Sequence, residues 1–184
     1  MTVLPTAGLR LRPMCSAAEA RSVFTRRLPG AEVEIESTMH PYWWVRCTVS
    51  RTLLRSAIRD RAGGAAGSEA GEPLNVLVDV YTRKGFLAGF APAGDPVGDE
   101  EFAAVLEREP IPVEDAVEVA RNLVRTRVQR RWKLGMGYRV EITGPVRGVL
   151  KPNWLVAGRN REFAARMLVD GLDGTHYVIS AQAL

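Results

Sequence analysis

Two cysteines and two histidines in 184 residues narrow the chemistry of this chain before anything else does. Cys15 and Cys47 are too few for a disulfide framework and read as reduced thiols of a cytosolic protein. With His40 and His176 they are the only metal ligands besides carboxylates, and none of them stand at a ligand-pair spacing. His40 and Cys47 lie on one extended run but an odd number of residues apart, hence on opposite faces. The sequence therefore predicts no metal and no cofactor. It also lacks a Gly-x-Ser-x-Gly elbow for a nucleophile and a Gly-x-Gly-x-x-Gly or phosphate loop after a strand, so no catalytic set is expected. No apolar run reaches the roughly 18 residues of a membrane span, and no basic-then-apolar leader opens the chain, which points to a cytoplasmic protein without a membrane partner. A strong excess of one sign of charge is lacking too. With 25 Lys+Arg against 21 Asp+Glu the net charge is +4, which permits an acidic partner without requiring one.

What is present is ordinary globular material: 46% hydrophobic and 25% charged residues, enough for a core. Richness in Ala, Gly, Val and Arg suggests a high-GC bacterial source. Residues 1–13 read as an edge strand or loose arm. Ser16-Ala17-Ala18-Glu19 is a capping box opening a helix to about Leu28, which Pro29-Gly30 stops. Glu32-Val33-Glu34-Ile35-Glu36 alternates as a half-buried strand, and after a short break an aromatic strand runs from His40 to about Leu54. The Gly/Ala-rich text from Arg61 to Pro73 predicts a flexible insert. Leu74 to Tyr81 and Phe86 to Phe90 form a hairpin, Ala91 to Gly98 a Pro/Gly linker, Asp99 to Arg108 a short helix, and Val113 to Arg130 a long one ended by Gly135 to Gly137.

The second half then repeats the first. Arg139-Val140-Glu141-Ile142 mirrors Glu32-Val33-Glu34-Ile35, Pro152-Asn153-Trp154-Leu155-Val156 mirrors Pro41-Tyr42-Trp43-Trp44-Val45, and Leu168-Val169-Asp170 mirrors Leu77-Val78-Asp79. Even the helices share a string, Ala20-Arg21-Ser22-Val23 against Ala120-Arg121-Asn122-Leu123. The expectation is an α+β protein of two fused α-β-β-β repeats, with helices packed on one side of curved antiparallel sheet. Residues 1–92 would be the first repeat with its insert at 61–73, 93–111 a linker with a short helix, and 112–184 the second repeat.

A helix, three antiparallel strands and an apolar-Val-Asp before the turn into the last strand resemble tandem PepSY-type repeats, whose turn reads Val-Asp-x-x-Thr-Gly. Here Val78-Asp79-Val80-Tyr81-Thr82-Arg83 keeps the Asp and Thr, while Val169-Asp170-Gly171-Leu172-Asp173-Gly174 keeps the Asp and Gly. The resemblance implies a binding or regulatory module, since such repeats are typically exported or membrane-linked regulators and protease-inhibitory domains. It implies no catalytic residues.

Asp79 and Asp170 read either as a symmetric acid/base pair or as caps of their own turns. Trp43 and Trp154 occupy matched positions, as core aromatics of a repeat do. Trp44 shares the other face with Tyr42 and Arg46, where the second copy has Asn153, Leu155 and Ala157. That face is either packed or a binding patch rich in the residue types that anchor interfaces. Arg121, Arg125, Arg127, Arg130, Arg131 and Lys133 invite a nucleic-acid or acidic-surface reading, although at helical spacing they scatter around the axis. The expected function is therefore non-enzymatic binding of another protein, through Tyr42, Trp44 and Arg46. The alternatives are a nucleic-acid binder using the basic helix, and a ligand carrier or enzyme with a pocket between helix and sheet.

Overall fold

A computed structural model describes residues 8–52, 71–131 and 137–184. In chain order its elements are β1 (Gly8–Leu11), α1 (Ala17–Arg27), β2 (Glu32–Thr52), β3 (Glu72–Asp79), β4 (Gly85–Ala88), β5 (Gly94–Val97), α2 (Asp99–Ala104), α3 (Val113–Arg131), β6 (Gly137–Ile142), β7 (Arg147–Arg159), β8 (Phe163–Asp170) and β9 (His176–Ala183). The chain is α+β, with a large, mostly antiparallel sheet and three helices among the described residues. Two compact units emerge. One draws on residues 42–92 and 106–148, the other on 8–41, 93–105 and 149–184.

In the first unit β2 pairs antiparallel with β3, from Tyr42↔Asp79 to Val49↔Glu72, and with β6, from Cys47↔Ile142 to Thr52↔Gly137. The short β4 returns along β3. Strand alternation puts Trp43, Val45, Cys47 and Val49 on one face, and all four are buried. Helix α3 packs on β3, β4 and β6. Its buried residues Ala116, Ala120, Val124 and Val128 recur every fourth position, the spacing of one helix face. Glu114 and Asp115 in its first turn and Arg130 and Arg131 in its last both suit the helix dipole.

The second unit holds residues 32–41 of β2, most of β7, and β8 and β9. Strand β8 pairs with β7 from Asn153↔Asp170 to Arg159↔Ala164, and β9 pairs with β8 across a bulge at Arg166/Met167. Helix α1 supplies Ala20 and Phe24 to a core completed by Val156, Met167 and Val169, with Val33, Ile35 and Trp154 packed against it. The capping box forms as its sequence dictates: the Glu19 amide donates to Ser16 Oγ at 3.3 Å, and the Ser16 amide donates to the Glu19 carboxylate at 2.7 Å. Gly158 lets the Phe24 ring lie against β7, since a Cβ there would stand 2.7 Å from Phe24 Cε1 and 2.8 Å from the Glu32 carbonyl oxygen.

Several expectations change. Residues 8–11 form neither an edge strand nor a loose arm, because β1 lies between β7, to which it is parallel, and β5. Strand β5 occupies text that read as a linker. Gly94 permits it, because any Cβ at that position would collide with the Arg10 carbonyl oxygen. Strand β2 runs through Ser37-Thr38-Met39 without the expected break. Helix α2 stops at Ala104 and not at 108. Of the insert, residues 61–70 lie outside the described residues, while Glu72 and Pro73 already belong to β3. The helix stop near Gly135 also lies outside them.

Candidate functional site

The Tyr42, Trp44 and Arg46 face does not present a binding patch. Trp44 is buried at 7% exposure, its indole N–H donates to Asn75 Oδ1 at 3.0 Å, and the Arg46 guanidinium lies 5.4 Å from its ring centroid. Its cross-strand partner Leu77 is wholly buried. Tyr42 is half-buried with its ring edge-on to Phe86, and Arg46 lies against the Gly144 turn. Large aromatics on both faces of β2 are core here, which alternation alone could not distinguish from an exposed anchor.

Asp79 and Asp170 cap their turns. Asp79 Oδ1 accepts from the amides of Tyr81 and Thr82, both at 2.8 Å, and Asp170 Oδ1 accepts from Leu172 at 2.8 Å. The Asp79 amide donates to the Lys84 carbonyl and the Asp170 amide to the Thr175 carbonyl, each at 2.7 Å. The likeness extends to the helices. The Trp43 indole donates to the Ile111 carbonyl just before α3, at 3.1 Å, and the Trp154 indole to the Cys15 carbonyl just before α1, at 2.7 Å. The Ile111 amide donates to Val80 and the Cys15 amide to Gly171, in each case the residue after the turn aspartate. Trp43 is fully buried, Trp154 half-buried.

Asp170 has a further role that the sequence reading missed. Its Oδ2 accepts from Lys151 Nζ at 2.5 Å, and the same ammonium donates to Asn153 Oδ1 at 3.0 Å. Lys151 is 5% exposed, so this is a buried ion pair satisfied by an amide. A single lysine inside Val149-Leu150-Lys151-Pro152 was the available signal.

The remaining chemistry is quiet. Burial pushes the Cys47 thiol up to about 11, against a smaller opposing pull from Arg121. Burial also raises Cys15, with Glu19, Asp170 and Asp173 adding negative charge nearby. Thiols held neutral are poor nucleophiles. Among the described residues no group of three or more His, Cys, Asp or Glu could hold a metal ion, and no helix is long and apolar enough to cross a membrane. On α3, Arg121, Arg125, Arg127, Arg130 and Arg131 are all exposed, and Arg131 pairs with Glu72 at 3.1 Å. Lys133 lies outside the described residues.

Two surfaces of the second unit stand out instead. The first is β9, every residue of which is exposed, including Tyr177 at 68%, Val178 at 46% and Ile179 at 47%. Among the described residues it pairs with β8 alone, so its outer edge faces no strand. Its text from His176 to Leu184 contains no Lys, Arg, Asp, Glu or Pro, the residues that normally blunt an edge. The second is a cavity of about 500 Å³ whose lining includes Glu32, Glu34, Arg159, Arg166, Ser180 and Gln182. No family model, curated protein or solved structure matches this chain.

Proposed function

We propose that the protein is a non-enzymatic protein-binding module, built from two copies of a PepSY-like α-β-β-β unit, whose partner adds an extended segment to the outer edge of β9. The observation that carries this reading is the exposure of all eight residues of a β-branched and aromatic strand, free of Lys, Arg, Asp and Glu, with one side unpaired among the described residues. Strand addition uses such an edge: backbone groups supply affinity and alternate side chains supply specificity.

The paired Trp and Asp hydrogen bonds support the duplication. On that reading the helices have changed places, each serving the strands of the other copy. It also accounts for the exposure of β9 among the described residues. Helix α3 has 19 residues and α1 only 11, about 28 Å against about 16 Å. The longer helix packs on β4, the counterpart of β9, while the core around α1 takes nothing from β9. The test is a pair of substitutions, Val178→Lys and Ile179→Lys, in the full chain. Both residues are surface-exposed, so the melting temperature should stay nearly constant while co-purification with the partner is lost. A double variant that retains its partner at native affinity sinks the proposal.

A further inference from the structure

The cavity of the second unit lies on the sheet face turned away from α1. Residues Val33, Val156, Met167 and Val169 point to the helix side, where they join its core. Alternation then sends Glu32, Glu34, Ala157, Arg159, Ala164 and Arg166 to the other face. The register sharpens this: Ala157 is opposite Arg166 and Arg159 opposite Ala164, while Ser180 and Gln182 of β9 are opposite Arg166 and Ala164. Two arginines therefore stand on a diagonal, about 7–8 Å apart at their stems. Each faces an alanine, which leaves room above the strand, and a hydroxyl and an amide flank the pair. Glu32 and Glu34 stand one strand to the other side, on β2. Among the described residues none of these four charged side chains carries an ion pair.

This layout selects against simple ions. An inorganic anion drawn to Arg159 and Arg166 meets two carboxylates nearby, and a polyamine drawn to Glu32 and Glu34 meets two guanidiniums. A ligand carrying both charges gains at both ends. Strands lie about 4.8 Å apart, so acids on β2 and bases on β7 and β8 are one to two steps, about 5–10 Å, away. The ends of an extended di- or tripeptide span about 7–10 Å. We infer that this cavity binds a short peptide by its two ends, with Arg159 and Arg166 forking the terminal carboxylate and Glu32 and Glu34 holding the ammonium. Ser180 and Gln182 are placed to bond the peptide group between them. Guanidinium is suited to the first task because its planar donors match a carboxylate two at a time.

The experiment is calorimetric titration of the full chain with Ala-Ala and Ala-Ala-Ala, against N-acetyl-Ala-Ala, Ala-Ala-amide, acetate and inorganic phosphate. The free peptides are expected to bind, and blocking either end to weaken binding about tenfold or more. Arg159→Ala with Arg166→Ala should abolish binding of free and acetylated peptides alike. Glu32→Gln with Glu34→Gln should erase only the preference for the free amine. Circular dichroism should show both double variants folded, since these four side chains are exposed. Phosphate or acetate binding as tightly as the peptides, peptide binding that ignores the four substitutions, or no heat from any peptide at millimolar concentration each overturns the inference. The β9 variants Val178→Lys and Ile179→Lys leave these side chains in place, so peptide binding should survive them even where protein capture fails.

Discussion

Asp170 carries two duties, of which its residue type and place before a turn reveal one. One oxygen caps the turn, as the residue type predicts, and the other takes up a buried ammonium. Replacing it with asparagine keeps an acceptor for the turn but strips Lys151 of its countercharge. We expect Asp170→Asn to cost about 3–5 kcal/mol in urea unfolding, the usual penalty for orphaning a buried charge. Adding Lys151→Met should restore most of that loss, and a double variant as unstable as the single would refute the pairing. The thiols give a second residue-level expectation. Because the fold favours the neutral form of Cys47, its contribution is complete below the free-thiol value and lost as pH rises through about 11. Cys47 should thus resist a thiol reagent at neutral pH in the native protein and react once denatured. Carboxylates act at the opposite limit. Hydrogen bonds from Thr175 hold Asp173 low and those from Ser16 hold Glu19 low, so their stabilisation is present above the ordinary carboxylate range and drains away as pH falls below it. Acid unfolding monitored by fluorescence should therefore shift to higher pH in Glu19→Gln.

At the level of elements, Gly158 marks the closest approach of helix to strand. Gly158→Val should destabilise the protein strongly, since one obstacle is a backbone carbonyl that cannot step aside. A thermal melt within a few degrees of native would contradict that packing. Trp43→Ala should cost about 3–5 kcal/mol, as truncation of a core aromatic does, and a melt left unchanged would mean the ring is not core. Such elements were legible where local chemistry decides: the capping box of α1, the stripe of α3, the alternation of β2 and the turn aspartates all follow from neighbours in sequence. What escaped was set from a distance. Strand β5 exists because Gly94 admits the backbone of β1, and Trp44 is buried by what surrounds it; neither fact is written in adjacent residues. The exposure of β9 could not be read from its lack of charge, because an uncharged β-branched strand reads equally as core. Nor could the alternating acids and arginines of the cavity, because register between distant strands brings them together.

For the whole molecule the decisive feature is that neither compact unit is a contiguous stretch. Residues 8–92 hold α1 without β7 and β8, and β2 to β4 without α3. Fragments 1–105 and 106–184 should each lack a fixed fold by circular dichroism and near-ultraviolet signal, yet recover both on mixing. A first fragment that folds cooperatively by itself would show that the interleaving is dispensable.

The same interleaving has a cost on the ribosome. Phe24 leaves the exit tunnel well before Val156, Met167 and Val169, against which it packs, have been made. At the roughly 5–20 residues per second of protein synthesis, the side chain waits about 7–30 s for its neighbours. During that interval α1 and the first part of β2 are an amphipathic hairpin with nothing to cover them. Nascent chains of this protein should therefore be bound by chaperones until β7 and β8 emerge, and slowing translation of the segment between β2 and β8 should lengthen that occupancy.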